Sequence, residues 1–339
     1  MFLNVFVITW YYHEIRRITS TLGMSSINLF ANFRKVSIAL ATPYESDQVE
    51  MVSTLLSQFM KLTKGAGFIC LYALITEIVS GGRKLSRILR SNILLIINIV
   101  LSALPSLMLA GRNDLMQLIA SALVYYYIIW HRYHGWERNI SRKYIKLGIT
   151  MFIIGIPCFY GLLFLLGRST TTPMFEYVSG YVGAPIVLFN DFLKNPVEEP
   201  QVFGEETLPG IHQLLHRLGL PTYVKNRHLE FRHLNALHYS NVYTFFRRPI
   251  HDFGLIGAYV FTALVSVLFA WLYYGWVRGN ADGRKADFRI IIYGYLYYWI
   301  IYTSIDQRSI SMISTGTIIT FLIIYVELKI VTRVKVKFR

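Results

Sequence analysis

The sequence predicts an all-α, polytopic integral membrane protein with about seven complete transmembrane helices and one large extracytoplasmic loop. Three observations predict it. Of the 339 residues, 54% are hydrophobic and only 16% charged, against roughly 25% charged in a soluble domain. Mean hydropathy is +0.42, more apolar surface than one aqueous core of this size can hide, so lipid must serve as solvent. Apolar segments long enough, or nearly so, to cross ~30 Å of hydrocarbon recur along the chain. The third observation is where the charge lies. Arg83, Lys84, Arg87 and Arg90 fill one gap between apolar segments. Arg132, Arg138, Arg142, Lys143 and Lys146 fill a second, beside Glu137. Arg278, Arg284, Lys285 and Arg289 fill a third, beside Asp282 and Asp287. Lys329, Arg333, Lys335, Lys337 and Arg339 form the tail. These four pieces carry the whole net charge of +15. Cut at membrane-span intervals, they follow the positive-inside rule, and a nucleic-acid partner is excluded.

The elements follow in order. Residues 1–64 are expected to hold a partial first span and then extracytoplasmic interfacial helices. Residues 1–12 are apolar but too short to cross and lack a signal peptide's basic start. They read as the tail of a span whose beginning is missing. Segment 13–64 mixes Arg16, Arg17, Arg34 and Lys35 with Ile27, Phe30 and Phe33 at helical spacing. Residues 65–167 form a four-span unit, at 65–80, 91–110, 114–130 and 145–167. Residues 168–252 are the large extracytoplasmic loop. Residues 253–330 form a three-span unit, at 253–275, 290–305 and 311–330, and 331–339 is a basic cytoplasmic tail. With the basic pieces inside, the turns at 111–113 and 306–310 fall outside.

Ionisable residues are scarce in the spans: Glu77 and Glu327 read as lying near cytoplasmic ends. A carrier that couples transport to ions usually places a charge near mid-bilayer. Cys70 and Cys158 fall in apolar runs, where a free thiol behaves as a small hydrophobe. The loop is richer. It holds His212, His216, His228, His233, His238 and His251, with acidic and basic residues in balance, and a loop of this length usually carries a function of its own. His212 and His216 share a helical face, but the residues between them include no Glu for an HExxH zinc site, so they read as the polar face of an outer helix. Asp252-Phe253-Gly254 spells a kinase signature by coincidence, because no glycine loop or lysine strand accompanies it. No Asp-x-Asp occurs to hold a nucleotide sugar through a metal. No cofactor and no metal are expected.

Two places remain. Arg112 is the lone charge in the three-residue outer turn 111–113, confined to the plane where diphosphate groups lie; as an alternative it is an interfacial anchor. The stretch 241–257 packs Asn241, Tyr243, Thr244, Arg247, Arg248, His251 and Asp252 just before a span. An aromatic belt with basic anchors accounts for only some of them. Asp252 could equally cap the following helix.

This last stretch resembles the signature of bacterial oligosaccharide repeat-unit polymerases, the Wzy-type or O-antigen polymerase family. The resemblance rests on Asn241, Tyr243, Thr244 and Phe246, then Asp252, Phe253, Gly254 and Gly257. Leu109-Ala110-Gly111-Arg112 is similar to the family's Gly-Arg at an outer span end. Tyr181-Val182-Gly183-Ala184-Pro185-Ile186-Val187-Leu188-Phe189 is similar to its Tyr-x-x-Gly-x-Ile-x-x-Phe segment, with Ala184 and Pro185 where a second glycine is common. Against the family, the chain is shortened at its start. The resemblance implies a metal-independent membrane glycosyltransferase in the bacterial cytoplasmic membrane. It would polymerise undecaprenyl-diphosphate-linked oligosaccharide on the outer face, alongside membrane lipid, a flippase and a chain-length regulator. Arg248 and His251 are less typical of the family's block; on the chemistry of the residues themselves, Arg112 and Arg247 are expected as diphosphate ligands and His251 or Asp252 as acceptor base. Asn241, Tyr243, Thr244, Arg248 and Tyr181 would bind substrate. The alternatives are a lipid-linked oligosaccharide flippase and an inactive scaffold of the export machinery.

Overall fold

The computed structural model describes residues 1–39, 52–80, 82, 84–109, 111–140, 173–222, 229–234, 239–280, 284–308 and 312–333, with 142, 146, 148–150, 153, 157, 160 and 161. Most of the expected span 145–167, loop residues such as His228 and His238, and the tail beyond Arg333 lie outside the described residues.

The described chain is helical except for a two-residue antiparallel ladder, Arg232–His233 against Tyr239–Ser240. In order come α1 (Phe2–Thr21), α2 (Leu29–Ala39), α3 (Thr54–Ser80), α4 (Leu85–Ser91), α5 (Ile93–Met108) and α6 (Asn113–His134). They are followed by α7 (Met174–Lys194), α8 (Pro209–Arg217), α9 (Arg247–Trp271), α10 (Arg284–Ile301) and α11 (Thr315–Arg333). Among the described residues, two helical segments are long and apolar enough to cross a membrane, Thr54–Ser80 and Arg247–Val277. A third qualifies if α4 and α5, bent by 73° at their junction, count as one. The chain is thus an all-helical, membrane-associated protein.

The centre of the bundle is α3, flanked by α5, α6 and α11, with α10 against α6. Glycines set the close approaches. A Cβ on Gly67 would lie 2.0 Å from Ser102 Oγ on α5, and one on Gly65 would lie 2.6 Å from Glu327 Oε2 on α11. Glu327 therefore sits beside the middle of α3 rather than at a helix end. Between α6 and α10, polar side chains fasten to backbone: Gln117 Nε2 donates to Tyr295 O (3.1 Å), Ser121 Oγ to Gly294 O (2.9 Å) and Tyr125 OH to Ile291 O (2.9 Å). Residue numbers rise on one helix as they fall on the other, so α6 and α10 run antiparallel, the sense in which 114–130 and 290–305 were threaded. Small residues and interhelical hydrogen bonds are the expected adhesives where lipid removes the hydrophobic drive. A Cβ on Gly294 would lie 2.2 Å from the Tyr125 ring. Gly294→Leu should therefore destabilise the protein by about 1–3 kcal/mol through overpacking, visible as earlier thermal unfolding in detergent. Unchanged melting would mean that α6 and α10 lie further apart.

Two expected boundaries move. The segment 1–12 is not a short tail but the first half of α1, whose buried stripe Val7, Tyr11, Ile15 and Ile18 packs against Phe33, Val36, Leu56 and Met108. The helix runs on past residue 12, with Glu14 and Arg17 paired at 2.9 Å on its more exposed side. Likewise α3 begins at Thr54, not at 65, so 54–64 belongs to the span helix rather than to interfacial structure. Hydropathy stops at Lys64, but the ammonium group is satisfied: it lies 2.8 Å from Asp114 Oδ1 on α6 and 5.2 Å from the centre of the Tyr295 ring. Within 168–252, α7 and α8 replace a plain loop.

Candidate functional site

At one end of the bundle the α5–α6 turn, α7, the segment 201–208, the start of α9 and the segment after α10 meet. Gly254 makes the α9 start possible. Its φ of 67° and ψ of −176° fall in a region essentially reserved for glycine. The break separates the polar turn 247–253 from the apolar rod that follows. Phe245 N–H donates to Thr303 O at 2.9 Å, tying this block to the segment after α10.

The turn 247–252 closes around one carboxylate, Glu206. Arg247 donates to Glu206 Oε2, and its other terminal nitrogen reaches Glu230 Oε2 at 2.9 Å. Arg248 Nη1 donates to the Glu206 carbonyl at 3.1 Å, and its Nε lies 3.9 Å from Asp306. His251 Nε2 is 3.6 Å from Glu206 Oε1. Asp252 accepts the backbone N–H groups of Glu206 (3.1 Å) and Thr207 (2.6 Å). The centre of this cluster is buried, with Arg247 0% exposed and Glu206 3%, while Glu230 and Asp306 at its edge are partly exposed. The arginine is also sandwiched by rings, 4.1 Å from the Phe192 centroid and 5.4 Å from that of Tyr243. Tyr243 OH donates to Glu230 O at 3.0 Å, and burial pushes its phenol pKa well up. The pairing extends outward: Arg232 Nε lies 3.3 Å from Glu230, and its Nη1 2.7 Å from Asp191. The hydrogen bond from Arg232 holds the Asp191 carboxyl below its ordinary range.

The arrangement gives the expected residues different roles. Arg247, expected as a diphosphate ligand, has its two terminal nitrogens on the carboxylates of buried Glu206 and partly exposed Glu230. Asp252 clamps the backbone of 206–207, so it caps a neighbouring segment rather than its own helix. Thr244 Oγ1 is buried without a hydrogen-bond partner among the described residues, and Asn241 is half-buried at the start of the block. His212 bridges Phe203 O (3.0 Å) and Thr222 Oγ1 (2.7 Å) within its own loop, a structural duty.

The second half of the site is a tyrosine cluster. Arg112 Nη2 donates to Tyr177 OH at 2.7 Å, and its guanidinium lies 5.5 Å from the Tyr181 ring centre. Tyr181 is close enough to act electrostatically on Tyr298 and Tyr302. Over Tyr302, at 4.0 Å, lies the guanidinium of Arg308. Arg308 in turn interacts with Asp306, the neighbour of Arg248. Arg112, the Tyr181 segment and the 241–254 block come together, although they are far apart in sequence: Arg112 lies over Tyr177 and Tyr181, and Leu188 and Phe189 of the same helix share an apolar cluster with Tyr243 and Ile250. Arg308, Glu206, Glu230 and Tyr177 were not singled out from the sequence. Arg308 carries the same signal that selects Arg112, a lone arginine in a short turn between two spans. The two glutamates had only the loop's charge balance to announce them.

Among the described residues no group of three His, Cys, Asp or Glu side chains is placed to hold a metal ion. Comparison with known proteins finds no matching family model, no similar curated protein and no similar solved structure.

Proposed function

We propose that this chain is a membrane glycosyltransferase that polymerises lipid-linked oligosaccharide repeat units on the outer face of the bacterial cytoplasmic membrane. One observation supports the reading: the three stretches that resemble the Wzy-type family come together at one end of the bundle, Arg112 lying over Tyr181, and Leu188 and Phe189 sharing an apolar cluster with Tyr243 and Ile250. Seven complete spans, with that end extracytoplasmic, belong to the same proposal and rest on the placement of the basic stretches.

In this reading both substrates are anchored in lipid and anionic, so they meet where the tyrosine cluster lies. Arg112 and Arg308 receive the diphosphate, because a planar guanidinium fork matches phosphate oxygens and is held flat by a ring face. The glycosyl diphosphate already stores the energy of transfer, so no nucleotide-binding loop is needed. His251, oriented by Glu206, takes the proton of the acceptor hydroxyl. The sugar–phosphate bond breaks as the sugar–oxygen bond forms, and the carrier diphosphate leaves with its charge on the arginines. Arg247 and Asp252 hold the frame on which His251 stands.

Deleting the gene tests the reading in cells. The expected result is lipid carrier bearing a single repeat unit and no polymer. Unchanged polymer would point to a scaffold. Absence of any repeat unit at the outer face would point to a flippase.

A further inference from the structure

The end of the bundle opposite the tyrosine cluster holds a cavity of about 440 Å³, lined by Tyr72 and Thr76 of α3, Ile129, Arg132 and Tyr133 of α6, and Asp287 of α10. Its size falls within the ~300–1,000 Å³ of small-ligand clefts. It is open, and more polar than such clefts usually are. The residues come from the second half of α3, the last two turns of α6 and the first turn of α10. The cavity therefore lies where the apolar helices end and the basic stretches 81–90, 131–146 and 276–289 begin.

Its chemistry is that of a charge pair left incomplete. Asp287 Oδ1 receives both the Tyr72 hydroxyl, at 2.7 Å, and Arg132 Nη1, at 3.2 Å. The Thr76 hydroxyl is turned to the Tyr72 carbonyl, 2.8 Å away. One guanidinium nitrogen and one carboxylate oxygen are thus used, and Arg132 Nη2 and Asp287 Oδ2 make no hydrogen bond to the described residues. Both side chains are about a quarter exposed, at 25% and 30%. A guanidinium favours a phosphate, and a carboxylate oxygen favours an ammonium that can donate to it. The two stand side by side.

We infer that this cavity binds the phosphoethanolamine headgroup of a membrane phospholipid, with phosphate on Arg132 and ammonium on Asp287. A phosphoglycerol headgroup would leave Asp287 facing a second anion. A choline headgroup has no N–H to give it. The position favours lipid over a soluble zwitterion: the cavity lies where apolar helices give way to basic stretches of sequence, and Tyr133 on its rim is 55% exposed, as tyrosines at a membrane interface are. Basic pockets between membrane helices are established places for headgroups. The inference is independent of the glycosyltransferase reading.

Purified wild-type protein in detergent, titrated separately with phosphatidylethanolamine, phosphatidylglycerol and phosphatidylcholine, decides it by native mass spectrometry. Ethanolamine lipid should be retained at about tenfold lower concentration than the other two, the size of one charge-assisted hydrogen bond. R132Q and D287N should each erase that preference. Equal retention of the three lipids by wild type overturns the inference whether or not the variants fold. A preference that survives both substitutions overturns the cavity as its origin. Displacement of the lipid by equimolar soluble phosphoethanolamine overturns the assignment to lipid.

Discussion

Arg247→Ala should lower the stability of this end of the bundle by about 3–5 kcal/mol, the cost of leaving the buried Glu206 carboxylate without its partner. Glu206, 3% exposed, would lose its shortest ion-pair contact, and Glu230 its link to the bundle. The segment 201–208 is held on α9 through Glu206, so it should detach and become open to protease, with a fall in yield of folded protein. Arg247→Lys keeps the charge but cannot span two carboxylates, and it should show a smaller loss in the same direction. The measurement is thermal unfolding in detergent beside limited proteolysis. Normal melting of Arg247→Ala, with activity alone impaired, would return Arg247 to the role of an open phosphate ligand.

Arg112→Lys should behave in the opposite way. The side chain packs on Tyr177 and Tyr181 at the bundle end, and lysine keeps its charge and its place over the rings. Folding should survive, while loss of the fork removes a donor aimed at the leaving diphosphate. Removing one such donor costs about 10²–10³ in rate. Polymer should therefore fall sharply at normal protein level, and Arg308→Lys should follow it. Wild-type polymer from both variants would place the reacting groups elsewhere. The contrast between Arg112 and Arg247 separates an arginine expected to act on substrate from one expected to hold the fold.

How much of this was legible in the sequence depends on the length scale. Apolar runs and the placement of arginines located most helices, because a span is a local property of about twenty residues. They failed where a distant partner neutralises a charge. Lys64 looked like the end of a span until Asp114 was seen beside it. Residues 1–12 looked too short because the pairing of Glu14 with Arg17, and the α2 and α5 surfaces that cover α1, are not written in that stretch. At the site, single-turn arginines between spans are local signals, so Arg112 was found, and Arg308 could have been by the same criterion. Glu206 was invisible because its importance is wholly tertiary: Arg247, Arg248, His251 and Asp252 were noticed as a crowd, and the reason for the crowd is a carboxylate some forty residues earlier. The sequence left Asp252 as base or helix cap. Its geometry is a third arrangement, a clamp on two backbone N–H groups of another segment.

The most direct measurement is chain extension by the purified protein in vesicles, supplied only with undecaprenyl-diphosphate-linked repeat units. The account predicts oligomers of increasing length on the carrier, with free undecaprenyl diphosphate released, in EDTA and without any nucleotide. Transbilayer movement of the repeat unit without extension, or extension that EDTA stops and manganese or magnesium restores, would contradict it.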